Sequence, residues 1–135
     1  NIFVYAVEGF ARHLEELVGL FAGIEAGSLN AVTSELTLAE CLVKPFMDEN
    51  TTRQQVYLDL LAGRPGLSVV PISRSILVEA ARMRSTSGAL RLPDAIHVAT
   101  AVASECGVLL TNDRALAANG IVEARLLDSP GDLHA

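Results

Sequence analysis

The chain has 135 residues and half of them are hydrophobic, which fits one domain with a sizeable core and requires no second domain. Acidic residues outnumber basic ones by 16 to 10, so the net charge of -6 excludes a general attraction of the whole protein to nucleic acid. The longest apolar runs are shorter than the roughly 20 residues of a membrane span, and the first residues lack a basic region and a cleavage site. We therefore expect a soluble, cytoplasmic protein.

Helices and short apolar strands are predicted to alternate along the chain. The helices are expected over residues 10–24, 35–46, 52–61, 74–84, 92–105 and 114–118. The strands are expected over residues 29–33, 67–72, 108–110 and 121–127, while the apolar run 2–7 fits either a strand or a buried helix. This order predicts a single-domain, three-layer α/β/α fold with a parallel central sheet.

The apolar pattern also predicts which side chains face the core. For the helix over 35–46 we expect Leu36, Ala39, Leu42 and Val43 to face inward, and for the helix over 52–61 Val56, Leu58, Leu60 and Leu61. Cys41 and Cys106 fall in apolar helical contexts without paired spacing, which predicts reduced core cysteines.

Two carboxylates lie at the ends of predicted elements. Pro93 suits the first position of a helix, and Asp94 follows it in the first turn. Asp113 comes after the buried strand 108–110, at the edge of a parallel sheet where ligands usually bind. Each acid also has an ordinary interpretation: Asp94 gains about 0.3–1 kcal/mol from the helix dipole, and Asp113 is a plausible helix cap.

Glu40 adds a third carboxylate that we expect at the same edge of the sheet. A cluster of Glu40, Asp94 and Asp113 without a His or Cys of ligand spacing suits oxygen-preferring cations such as Mg²⁺ or Mn²⁺. Zinc would require softer ligands.

Four segments of the chain resemble the motifs of PIN domains, especially those of VapC-type toxins. Residues 92–101, LPDAIHVATA, are similar to the third motif, and residues 110–114, LTNDR, to the fourth. Residues 33–40, TSELTLAE, resemble the second motif, and residues 1–6, NIFVYA, resemble the segment just after the first. The segments are spread from residue 1 to residue 114, and the resemblance covers essentially the whole chain, so we expect residues 1–135 to form one PIN-like domain.

The first motif of the family is Asp, a small or hydroxyl residue, then Asn or Ser. Asn1 matches the last of these, which places the first Asp two positions before residue 1, together with the central strand of the family. By this alignment residues 2–7 are the helix that follows that strand.

The resemblance implies a Mg²⁺- or Mn²⁺-dependent endoribonuclease that is the toxin of a type II toxin–antitoxin pair. It implies that Asp94, Asp113 and the upstream Asp hold the metal, and that Glu40 completes the cluster or orients the attacking water. Asn1 and Thr111 are expected to support these ligands by hydrogen bonds. The implied partners are RNA, a small antitoxin and a second copy of the chain.

Arginines next to the acidic motifs are the candidates for phosphate contacts. Arg91 and Arg114 flank the motifs, while Arg82 and Arg84 are weaker candidates. His97, one turn after Asp94, invites a role as general base, but a metal-activated water needs no imidazole, which favours a partly buried helix residue.

Two other functions are alternatives to the nuclease. A PIN-like domain that has lost catalysis would serve as a scaffold or protein-binding module, and absence of the first Asp would favour it. A phosphoryl-accepting receiver domain needs a Lys at a strand end, but Lys44 lies inside a predicted helix beside Pro45. Nucleotide-binding folds are excluded because neither GxxxxGK nor GxGxxG occurs.

Overall fold

A computed structural model of the chain describes residues 19, 21–27, 30–107, 109–111, 120–121 and 124–126. Of the predicted helix 10–24, only the last part is described, where residues 19 and 21–25 are helical. The predictions for residues 2–7 and for the helix 114–118 lie outside the described residues.

Helices and strands alternate through the described part of the chain. The elements are β1 (Ala31–Ser34), α1 (Leu36–Met47), α2 (Thr51–Leu60), β2 (Leu67–Val70), α3 (Arg74–Thr86), α4 (Leu92–Ala103), β3 (Leu109–Thr111) and β4 (Ala124–Leu126). The helix ends lie within about two residues of the predicted ones, which is the usual uncertainty of such boundaries. None of the described helices is both long enough and apolar enough to span a membrane.

The strands pair in parallel, as predicted for an α/β fold. β1 pairs with β2 so that Ser34 lies opposite Val70, and β3 pairs with β4 so that Thr111 lies opposite Leu126. Helices α1 and α2 connect β1 to β2, because a parallel pair needs a crossover instead of a tight turn. Within the described residues the strands form two parallel pairs, which agrees with the predicted α/β fold.

Side-chain oxygens determine where three helices begin. The hydroxyl of Ser34 accepts a hydrogen bond from the backbone N–H of Leu36 at 3.1 Å, at the junction of β1 and α1. Asn50 caps α2, and Ser73 caps α3 by accepting from the backbone N–H of Ile76 at 3.2 Å. Each oxygen satisfies an amide that would otherwise have no partner in the first turn.

Buried apolar side chains form two clusters. The α3–α4 cluster lies between these two helices and contains Ile76, Ala80, Met83, Leu90, Ala95, Ile96, Val98 and Ala99. The α1–α2 cluster contains Ile24, Cys41, Tyr57, Leu61 and Leu67. Because α4 buries seven of its twelve residues, it is the most enclosed of the described helices.

The predicted inward faces of α1 and α2 are partly wrong. In α1, Ala39 and Val43 are exposed, and the buried residues are Thr37, Cys41 and Pro45. Since α1 is apolar around most of its circumference, its contacts with other elements decide which face is buried.

In α2, Val56 and Leu58 are each 42% exposed, whereas Tyr57 is only 1% exposed. A buried aromatic ring removes more apolar surface from water than one Val or Leu, so Tyr57 determines the buried face of this helix.

The two cysteines are reduced thiols, as predicted, and they differ in burial. Cys41 belongs to the α1–α2 cluster, whereas Cys106 is only half-buried after the end of α4. Desolvation raises the pKa of the Cys106 thiol, so this group stays protonated at neutral pH.

A tight approach at Gly66 yields a stability prediction. Gly66 has a φ of +85°, and a Cβ there would stand 2.7 Å from the carbonyl oxygen of Ile24. Gly63 has a φ of +91° but open space around it, so it is a matched control. We expect Gly63→Ala to lower the free energy of unfolding by about 1 kcal/mol through backbone strain alone. We expect Gly66→Ala to lose about 1–3 kcal/mol more because of the clash, as measured by urea denaturation. Equal losses would contradict the close approach.

Candidate active site

A buried carboxylate lies in the first turn of α4. The side chain of Asp94 is 8% exposed, and the Nε of Arg91 donates a hydrogen bond to its Oδ2 at 3.2 Å. Within the part of the chain that the structure describes, Oδ1 has no hydrogen-bond partner. A buried charge is costly unless it is paired, and the start of a helix favours a negative charge. Among the described contacts of Asp94, Oδ1 is therefore the oxygen that is left for a cation.

Glu40 reaches the same helix from α1. Its Oε1 lies 2.7 Å from the Nε2 of His97, and this contact joins residues 57 positions apart. The side chain of His97 is 20% exposed and that of Glu40 is 38% exposed. Since His97 lies one turn after Asp94, both side chains project from one face of α4. Glu40 is thereby held against the face of α4 that carries Asp94.

The pKa of Glu40 lies below its ordinary value. The hydrogen bond from His97 is the main cause, and the charges of His97 and Arg91 act in the same direction, against a smaller raising effect of burial. Glu40 is therefore ionised at neutral pH. Because the pKa is lowered by folding, the stability that Glu40 contributes is present above its ordinary pKa and is lost as the pH falls through the lowered one.

The partial burial of His97 agrees with the preferred interpretation from sequence, but its contact with Glu40 was not anticipated. The sequence shows that His97 lies three residues after Asp94, but this spacing does not predict that Glu40 contacts His97. The sequence also did not predict the contact between the hydroxyls of Thr33 in β1 and Thr37 in α1, which lie 2.8 Å apart. Thr37 lies one turn before Glu40 in α1. No signal in a single sequence links Glu40 to His97, because only the packing of α1 beside α4 brings them into contact.

Comparison with known families identifies the chain. A model of the PIN domain matches residues 1–121. The chain belongs to the PIN domain family. Members of this family are generally nucleases, and they typically use divalent metals. No curated protein and no solved structure matches the chain.

Some of the expected site residues of this PIN domain lie outside the described residues. These are Asn1, Asp113 and Arg114. Thr111 is described: it is buried at the carboxyl end of β3 and has a partner. Among the residues that the structure describes, no three His, Cys, Asp or Glu side chains are grouped closely enough to hold a metal ion. The grouping of Glu40 and Asp94 with Asp113 therefore stays a prediction.

The arginines of this PIN domain have partners that the sequence did not reveal. Arg91, expected to contact phosphate, is paired with Asp94 although its side chain is 74% exposed. Arg82 forms an ion pair with Glu79 on the surface of α3, and Arg84 lies exposed in the last turn of the same helix. Arg91 is therefore the described arginine that lies at the acidic residues.

A groove of about 650 Å³ is formed by another part of the described chain. It runs between the helical segment 21–25 and α2, with Phe21, Arg53 and Val56 among its lining residues. Neither Glu40 nor Asp94 lines it. The groove is therefore separate from the site around Asp94, where Glu40 is the more accessible carboxylate at 38% side-chain exposure.

Proposed function

We propose that this PIN domain is a Mg²⁺- or Mn²⁺-dependent endoribonuclease of the cytoplasm and the toxin of a type II toxin–antitoxin pair. The observation that carries the proposal is the arrangement on α4. The buried Asp94 has an oxygen without a partner in the described chain, and His97, three residues further along α4, holds the ionised Glu40 of α1. Membership of a family of nucleases supports the same reaction class.

The donor set fits a hard divalent cation. Carboxylate oxygens are the ligands that Mg²⁺ and Mn²⁺ prefer, and one oxygen of Asp94 is bound by no described residue. When bound, such a cation stabilises the charge of the reacting phosphate and lowers the pKa of water. In this proposal Asp94 and Asp113 hold it, together with the Asp expected two positions before residue 1.

The other residues act around these ligands. Glu40 completes the cluster or accepts a hydrogen bond from the attacking water, which it can do because it is ionised at neutral pH. Thr111 and Asn1 orient the ligands by hydrogen bonds.

Recognition of RNA is proposed to be local. The net charge of -6 disfavours a polyanion, so cationic side chains beside the acidic residues must hold the phosphates. Arg91 and Arg114 are the proposed contacts. Arg91 is suitable because its exposed guanidinium is anchored at Asp94.

The biological role rests on the resemblance to VapC-type toxins. It comprises inhibition by a small antitoxin and association of two copies of the chain. The alternative is a PIN-like scaffold without catalytic activity, and the experiment below distinguishes the two.

The test is cleavage of a mixed RNA pool by the chain with its natural N-terminus, in Mg²⁺, in Mn²⁺ and in a chelator. We expect cutting with either metal and none with the chelator. Glu40→Gln should lower kcat by about 10²-fold, because it removes the charge that acts on the water. Glu35→Gln is the matched control, since Glu35 is exposed just before α1 and its side chain does not cap this helix by a hydrogen bond. Folded protein that cuts no RNA class with either metal would overturn the proposal and favour the scaffold.

A further inference from the structure

We propose that His97 is a positioning residue that holds Glu40 in the orientation required for RNA cleavage. This inference rests on the proposed function, and it assigns a role to a side chain that the metal-dependent reaction does not itself require. It begins from the contact between the Nε2 of His97 and the Oε1 of Glu40, which measures 2.7 Å.

The contact restrains a side chain that would otherwise move. Glu40 is on α1, and at 38% exposure its carboxylate has room to change rotamer. Within the described part of the chain, His97 is the hydrogen-bond partner of Glu40, and Glu40 is that of His97. The charge of Arg91 also acts on Glu40, but among the described residues only the imidazole fixes the direction of the carboxylate by a hydrogen bond.

His97 is well placed to act as an anchor because its helix is immobilised. The residues on either side of it in α4, Ile96 and Val98, are buried, and Ala95 and Ala99 are buried as well. The hydrogen bond from an imidazole fixed on such a helix holds the carboxylate of Glu40 in place relative to α4. Since Asp94 lies one turn before His97, the contact sets Glu40 relative to Asp94.

The geometry also assigns different tasks to the two oxygens of Glu40. Oε1 is occupied by His97, and Oε2 has no hydrogen-bond partner among the described residues, so Oε2 is the oxygen that we assign to a water or a cation. The Nε2 of His97 is committed to Glu40 and does not act as a general base. The role of His97 is therefore exerted through Glu40.

The experiment compares three variants with the wild type. His97→Leu removes the donor, and His97→Gln keeps an amide nitrogen close to the position of Nε2. Val102→Ala is the control on α4, because Val102 is 45% exposed and belongs to neither buried cluster. We expect His97→Leu to lower kcat 10- to 100-fold without a change in KM, about as much as loss of a residue that orients a ligand. His97→Gln should recover most of kcat, and Val102→Ala should resemble the wild type.

Two further readouts separate positioning from a merely structural effect. In a Glu40→Gln background, His97→Leu should cause little additional loss of kcat, because the group that it positions is already disabled. The ring ¹⁵N chemical shifts of His97, measured by NMR without metal, should change when Glu40 is replaced in Glu40→Gln. In a separate calorimetric titration, His97→Leu should bind Mn²⁺ about 10-fold more weakly than the wild type.

Each outcome is decisive. Wild-type kcat in His97→Leu, or independent losses in the double variant, would overturn the role of His97 while the nuclease stands. The same holds if His97→Gln is folded and yet as inactive as His97→Leu. If the wild type shows no metal-dependent cutting, the proposed function fails, and the role of His97 fails with it. If His97→Leu does not fold, the role of His97 is tested by the kcat of His97→Gln and by the ring ¹⁵N shifts of His97 in Glu40→Gln.

Discussion

Asp94→Asn is expected to reduce metal-dependent RNA cleavage by at least about 100-fold, a loss typical of removing one electrostatic contact to a transition state. Asparagine has nearly the same shape as aspartate, and its amide oxygen can still accept the hydrogen bond from Arg91. The fold should therefore persist. What disappears is the negative charge at a position that is 94% buried, where a cation has few competing water molecules.

Initial cleavage rates in Mg²⁺ provide the measurement, and calorimetric titration with Mn²⁺ tests the loss of metal binding separately. Asp48→Asn is the matched control, because Asp48 is exposed at the end of α1 and pairs with Lys44 on the surface. We expect this control to cut RNA like the wild type. If Asp94→Asn is folded and retains the wild-type rate, Asp94 does not belong to the active site.

Tyr57→Ala is expected to lower the free energy of unfolding by about 3–5 kcal/mol, the range observed for truncation of a buried aromatic residue. The Tyr57 ring is 1% exposed and packs in the α1–α2 cluster with Cys41, Leu61 and Leu67. Its removal leaves a cavity that these neighbours cannot fill without moving, so transfer and cavity effects add.

Leu58→Ala is the control for this prediction, because Leu58 is the next residue of α2 and is 42% exposed. We expect it to cost less than about 1 kcal/mol in urea denaturation. The apolar pattern of the chain predicted Leu58 as a core residue, so a larger loss for Leu58→Ala than for Tyr57→Ala would favour that pattern over the observed packing.

The order of elements was predictable because it depends on local interactions. Ser73 caps α3 and Pro93 lies in the first turn of α4, and both signals act within a few residues of the chain. The apolar strand predicted over 67–72 is present as Leu67–Val70, with parallel pairing to β1. Such signals specify where an element begins and which type it is.

The inward faces of the helices were less predictable. In α1, side chains on several sides are apolar, and periodicity does not distinguish the buried Cys41 from the exposed Val43. In α2, the buried residue is Tyr57, whose size outweighs the count of smaller apolar neighbours. The burial of each face follows from contacts with other elements, which are not encoded in the spacing of one segment.

The sequence by itself determined the α/β class, the positions of most helices and strands, and the acidic residues that match PIN motifs. Only the tertiary structure decided that Glu40 meets His97 and that Arg91 pairs with Asp94 at the start of α4. The physical reason is the range of the interactions. Caps and turns form between neighbours in the chain, whereas the contact between residues 40 and 97 exists only when α1 packs beside α4.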